Sequence, residues 1–403
     1  MQKVFQSIFH TPKTVLLAIF LQINSLTWLF IERRIIGIIL DGINAALQER
    51  FIIWGTWDLA IIISSIIGSI ISSKINRLKL LRIWVTFGVF TSTIAHFLRW
   101  RNLLLISAVW GIIFGIGLPS CLAYFAKKTT FENRGVLSGL IFSMSSCITP
   151  PIILLFKTSD VLSLFSIFWR ITGLVAFILL AYEEEGLKIE KMSYSFISIL
   201  KDKRIALYFI PWLLFSLIYG FQKITIEHSL STEFYDLLRS IQAVSAVISS
   251  ILVGRFCDRN GRKIAIIYGF TSLGIAYAIL SIFHTGPITF YLYSLIDGIA
   301  WGIFIILFVF TLWGDLSSID TRSADRYYVV GSIPFFLSDF VSSLFAVYLR
   351  MEINDAFSVA SFFIFLAVVP LLYAPETLPE RVIREKELRS YVEKAKRLAE
   401  KYS

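Results

Sequence analysis

The chain is built from blocks of about twenty apolar residues, divided by short charged strings. An α-helix rises about 1.5 Å per residue, so each block matches the roughly 30 Å hydrocarbon core of a bilayer. Hydropathy places about twelve spans, near 13–37, 51–73, 80–99, 103–126, 135–156 and 162–182, then 205–222, 237–256, 264–284, 288–313, 327–348 and 356–374. Lipid offers no partner to backbone N–H and C=O groups, and the period-two alternation of a barrel strand is absent, so the blocks are predicted to be helices. Only 16% of residues are charged, against about a quarter in a soluble domain. The first block is about twice too long for a signal peptide's apolar core and lacks a small-residue cleavage site, so no cleavable leader is expected.

The net charge of +10 could suggest a nucleic-acid partner. The surplus is instead split among many short connections and an acid-rich tail, so no nucleic acid is expected. Counting alternate connections gives about 28 Lys and Arg on the side of both termini and about 9 on the other, with Arg170 inside a span. The positive-inside rule then predicts a multi-pass plasma-membrane protein with both termini in the cytoplasm, its basic loops against anionic lipid headgroups. The expected organisation is a six-helix bundle over 1–182, a cytoplasmic central segment over 183–204, a second bundle over 205–375 and a tail over 376–403. In the tail Leu388, Tyr391, Val392, Ala395, Leu398 and Tyr402 recur at helical spacing, and Glu385–Arg389 and Glu393–Arg397 are i,i+4 pairs, which predicts an amphipathic helix on the cytoplasmic face.

The two halves repeat. The second span ends in IIGSIISSKINRLKLL and the eighth in ISSILVGRFCDRNGRK; alignment sets Ser72 on Gly254, Asn76 on Asp258 and Arg77 on Arg259. The fourth span carries Gly111 and Gly115, the tenth Gly298 and Gly302, and an Arg (Arg134 or Arg326) precedes the following span in each half. Three matches in one order suggest a duplicated six-helix unit, parallel because both copies enter the membrane from the same side.

The string GRFCDRNGRK (254–263) fits the G-x-x-x-D-R-x-G-R-K signature of the major facilitator superfamily in its expected place after the eighth span, whereas the copy after the second span is degenerate. The fourth span and its loop, with Pro119, Tyr124 and Arg134–Gly135, resemble the same superfamily. Trp169–Arg170 and PETLPE (375–380) look like its sugar-porter side. The resemblance covers the whole membrane part. It implies an all-α membrane protein, twelve transmembrane helices in two pseudo-symmetric six-helix bundles, that acts as a secondary transporter by alternating access.

The signature loop also has a direct physical reading. Asp258 ends a helix, where a carboxylate can accept from the free N–H groups of a neighbouring helix start, expected near Gly135. Gly254 permits the close approach and Gly261 a tight turn. Arg255, Arg259, Arg262 and Lys263 are expected at headgroups or paired with acids across the interface, so that the loop acts as a conformational latch.

Polar groups at depth are the candidates for solute and proton binding, because an unpaired charge there is costly. They are Gln22, Asn24 and Glu32 on the first span, Asp58 on the second, Arg170 on the sixth, Asp297 with Trp301 one turn away on the tenth, and Asp339 on the eleventh. LFIERRIIG resembles the acid-bearing first helix of sugar porters, with Glu32 at the acid; the Arg that pairs with it there would align at Ser107, so that arrangement is not reproduced. Glu32 or Asp58 is expected to exchange partners among Arg33, Arg34 and Arg170, or else to sit in a fixed ion pair. Tyr208, Trp212, Tyr219, Trp28 and Trp110 are expected in the core more than at a ligand, and His96 as a packing residue.

The expected function is transport of a small organic solute, coupled to protons, by a monomer. Alternatives are a uniporter, an exporter of amphipathic compounds, or a membrane sensor or scaffold with the same fold, which the degenerate first loop keeps open. Cys121, Cys147 and Cys257 form no C-x-x-C pair and the four His lie far apart, so no metal or cofactor is expected. Nucleophile elbows and phosphate loops are also missing, and no enzyme is expected.

Overall fold

The computed structural model describes residues 12–97, 102–181, 195–319, 323–348, 351–380, 384 and 388. The first half holds α1 (Lys13–Gly42), α2 (Leu47–Ser72), α3 (Arg77–Phe97), α4 (Leu103–Lys128), α5 (Arg134–Leu155) and α6 (Ser159–Leu180). A short helix, Phe196–Lys201, leads into the second half: α7 (Lys203–Ser229), α8 (Thr232–Asn260), α9 (Arg262–Ile282), α10 (Pro287–Phe304), α11 (Ala324–Tyr348) and α12 (Ile353–Tyr373). α10 continues through a π-helical turn, Ile305–Thr311, and a last α turn, Leu312–Leu316. Eleven helices among the described residues are long and apolar enough to cross a membrane. The remaining expected span, the eleventh (327–348), corresponds to α11, 25 residues long. Most of the predicted tail helix, and residues 182–194 of the central segment, lie outside the described residues.

α1 runs 30 residues, about 45 Å at the helical rise, and so extends five residues past its predicted end at Gly37. Helix ends carry local signals. Asp202 caps α7 by accepting from the Arg204 N–H, Ser231 caps α8 through the Phe234 N–H, and Pro287 opens α10 where its missing N–H costs nothing. Gly261 alone separates α8 from α9 and adopts φ 108°, a left-handed turn that a side chain would strain.

The end of the bundle holding Lys13, Arg134 and Glu376 is here termed the base, the other end the crown. Within each half, two pairs correspond: α2 packs on α4, and α8 on α10. The glycines explain why. A Cβ on Gly111 would lie 2.7 Å from the Trp57 carbonyl oxygen, and one on Gly302 2.8 Å from that of Ala246. Between the halves α2 packs on α11, and α5 on α8, which is the relation a twofold repeat of six helices produces.

Candidate functional site

At the base the halves are joined by a buried polar network. Gly135 and Val136 open α5 with unpaired N–H groups, and both donate to Asp258 of α8, at 2.9 Å and 2.8 Å. The helices can come this close because Gly135 faces Gly254: a Cβ on Gly135 would sit 2.7 Å from the Gly254 carbonyl oxygen and 2.6 Å from Asp258 Oδ1. Arg262, fully buried at the start of α9, donates to Asp258 (2.6 Å), to Asp315 (3.1 Å) and to the Phe131 carbonyl (2.8 Å). Asp315 also pairs with Arg134 of the first half. Glu376, just past α12, accepts from the N–H groups of Arg262 (2.8 Å) and Lys263 (3.1 Å), holding the α9 start in place. Farther along the same crossing Ser143 bonds Ser250 at 2.7 Å.

The pseudo-symmetric contact is different in kind. Asn76 caps its own helix through the Leu78 N–H, and the link to the other half is Arg77 paired with Asp325 at the start of α11. The alignment of Arg77 with Arg259 is thereby corrected. Arg77 opens α3 as Arg262 opens α9 and reaches across the interface, whereas Arg259 and Arg255 are exposed.

Toward the crown the closure is thin. Arg33 of α1 pairs with Asp339 of α11 at 2.6 Å, lies 4.0 Å from Asp58 of α2, and rests over the Trp54 ring. Arg33 and Asp339 keep 28% and 23% side-chain exposure, while Asp58 has none.

Two cavities lie between these ends. The first, about 50 Å³, sits between the halves and is walled by Leu29, Phe114, Leu118, Phe308, Phe335 and Phe336 among others, with Ser332 and Tyr328 its polar exceptions. The π-helical turn supplies part of this wall. The second, about 30 Å³, lies within the second half between α7, α8 and α10, and is lined by Tyr219, Lys223, Tyr235, Arg239, Gln242 and Asp297, with Gln222, Tyr293 and Ser294. The Trp301 ring stands between the two: its centroid is 4.5 Å from Tyr219 and 6.3 Å from Phe335.

No family model matches the sequence, and no curated protein matches it. Solved structures do match the backbone. A bacterial homologue of the iron transporter ferroportin in an outward-facing state superposes with TM-score 0.70 at 13% identity, over 90% of this chain and 98% of that one. The proton:xylose symporter XylE, bound to 6-bromo-6-deoxy-D-glucose, gives 0.66 at 13% identity over 91% and 96%. The human organic anion transporter MFSD10 gives 0.63 at 13% identity over 89% and 98%.

The chain has the major facilitator fold.

Within the major facilitator fold of this chain, the deep polar residues separate into three groups. Glu32 makes no direct ion pair among the described residues, although Arg170 lies within electrostatic range of it; of the two expected acids it is Asp58 that stands at ion-pair distance from Arg33. Glu32 accepts from Ser92 (2.9 Å), itself a partner of Trp28, and its Oε2 has no partner. Arg34 is exposed. Arg170 is sandwiched between the Trp28 and Trp84 rings, 4.4 Å from each centroid, and donates to Asn24 (2.9 Å) and Ser25 (3.2 Å). This cluster ties α1 to α3 and α6. Gln22 is buried on the same helix, its amide nitrogen without a partner.

Asp58 and Asp339 form the second group, at the interface with Arg33. Asp297 forms the third: Oδ2 accepts from Gln242 at 2.5 Å, while Oδ1 is buried without a partner. Among the aromatics, Trp110 packs edge-on to Trp57, Tyr208 bonds the Pro375 carbonyl, and Trp212 stacks on Phe308, all core roles. Tyr219 faces the polar cavity. His96 bonds Ser163, joining α3 to α6. Arg262 is not at a headgroup but buried in the polar network at the base, and Lys263 donates to the Leu372 carbonyl. Pro119 is buried inside α4, and Arg326 rests over the Phe196 ring.

Sequence reasoning missed Asp315, Asp325, Lys223, Arg239 and Gln242. Asp315 falls just beyond the predicted end of its span at Trp313, and so read as a loop charge. Lys223 read as a loop charge for the same reason, just past the predicted end of its span at Gln222, whereas Arg239 fell near the start of its predicted span, 237–256, and was not singled out; α7 and α8 carry both well inside their helices.

Proposed function

We infer that the protein is a secondary transporter that moves a small organic solute by alternating access and couples it to protons. The observation that carries this reading is the pair of unlike closures, a buried latch at the base and a thin ion pair toward the crown, with a cavity between the halves. A carrier needs two closures that can open in turn. The apolar wall of that cavity favours a solute with an apolar body. Proton coupling is supported by two carboxyl groups: Asp58, whose oxygens accept no hydrogen bond among the described residues, and Asp297 with its free Oδ1. A carboxyl group without partners at depth is a place to take up and release a proton.

The basic surplus on the base side supports a cytoplasmic base in the plasma membrane, with both termini there. The Arg77–Asp325 link bears on the sensor alternative, since the degenerate loop still joins the two halves.

The test reads each end separately. In liposomes, Asp339→Ala should raise labelling of cysteines placed at the crown, and Asp258→Asn that of cysteines at the base. Both should slow flux of a solute panel, with accumulation dependent on an inward proton gradient in the unmodified protein. Solute binding without any flux would favour the sensor, and both ends opening together would exclude alternating access.

A further inference from the structure

The polar cavity in the second half carries chemistry that the central, apolar cavity does not. Lys223, partly buried, and Arg239, exposed, both line it, with Glu227 in electrostatic range of each, and neither has a carboxylate at ion-pair distance among the described residues; Arg239 lies over the Tyr235 ring. Two cations left without direct counter-ions in one recess are a site for an anion. The remaining walls combine the apolar Ile226 and Leu238 with hydrogen-bonding groups: Tyr293, which donates to Gln222 at 2.8 Å, Tyr219, Ser294 and Gln242. Asp297 lines the same recess, with one oxygen held by Gln242 and the other unpartnered.

At about 30 Å³ the recess has room for one or two waters, which suits a carboxylate head and not a whole solute. The rest of a ligand would extend past Trp301, whose ring contacts Tyr219 of this recess and Phe335 of the cavity between the halves. We propose that this recess is the head-group site of a soluble organic anion, which Lys223 and Arg239 receive and to which Asp297, when protonated, donates through Oδ1. The ligand and the proton then bind together, because an ionised Asp297 would repel the head and a protonated one completes its hydrogen bonds. The groups facing Asp297 are Tyr219 and Lys223 from α7, Gln242 and Arg239 from α8, Tyr277 from α9 and Tyr293 on its own helix, with Tyr235 and Glu227 at the rim. None of these is a second buried carboxylate, so Asp297 is the group whose protonation changes the charge of the recess. Lys223 is also within electrostatic range of Asp339 and Arg33, which places the anion site beside the crown ion pair.

This rests on the transporter reading, but its test is binding and needs no flux. The full chain in detergent is melted with benzoate, acetate, benzamide, acetamide and dioctanoyl phosphatidate, at about pH 6 and about pH 8. Benzoate should raise the melting temperature and benzamide should not, with a lower half-saturating benzoate concentration at the lower pH. Lys223→Gln and Arg239→Gln should each raise that concentration about tenfold or more, the worth of one charge-assisted hydrogen bond. Asp297→Asn should bind benzoate equally at both pH values. Equal stabilisation by benzamide, no response to either carboxylate, a response to the phosphatidate alone, or a pH dependence that survives Asp297→Asn would overturn the proposal. Flux without anion binding would overturn it while leaving the transporter reading intact.

Discussion

Arg262 and Arg170 are both fully buried guanidinium groups held in opposite ways, and Nε and Nη2 of Arg170 have no hydrogen-bond partner. Arg262 lies between two carboxylates and a carbonyl. Arg170 lies between two indole faces, with only neutral oxygens to donate to. Arg262→Gln would leave Asp258 and Asp315 short of a partner, and breaking a buried pair from one side costs about 3–5 kcal/mol. Cys257 has no exposed surface and adjoins this network, so the expected readout is faster maleimide labelling of Cys257 in a Cys147→Ser background. Arg170→Lys keeps the charge but loses the flat stack, worth about 0.5–2 kcal/mol per ring; a lower melting temperature in detergent should follow. The signature acid Asp258 was legible in the sequence because its motif is contiguous. Asp315 was not, because its partners are 53 and 181 residues away along the chain.

At the scale of elements, the twelve helices and their repeat could be read directly, because apolar length and glycine spacing are local properties. Which face of each helix turns inward could not. Lipid and protein interior are both apolar, so a membrane helix carries little of the polar–apolar stripe that orients a helix in water. Glu32, Asp58 and Asp297 therefore came out as equivalent charges at depth, although one faces its own half, one the interface and one a recess. The glycines of the α2–α4 and α8–α10 pairs were legible as spacing, and their role in close contact is clear from the structure. Gly115→Leu and Gly302→Leu would each force backbone apart, since even a Cβ on Gly115 would come 3.0 Å from the Ile61 Cα. Both variants should give less folded protein, by similar amounts because the pairs correspond, as judged by monodisperse yield in detergent.

For the whole molecule, the two closures are unequal. The base is held by several buried hydrogen bonds and ion pairs over a glycine-lined crossing, the crown by an ion pair about a quarter exposed and the α2–α11 contact. An exposed ion pair is worth about 0–1 kcal/mol and weakens in salt, whereas the buried network is little screened. Raising the ionic strength should thus increase cysteine labelling at the crown while leaving the base unchanged. Gly135→Val should do the reverse, because its Cβ would lie 2.6 Å from Asp258 Oδ1 and block closure at the base.

That inequality has a consequence in time. Under the alternating access proposed above, an empty molecule whose one door is heavy and whose other is light would wait at the light one, and the heavy door would set the pace of every cycle. Substitutions in the base latch should therefore change how often the protein turns over, and substitutions around Arg33 how long it holds what it has caught.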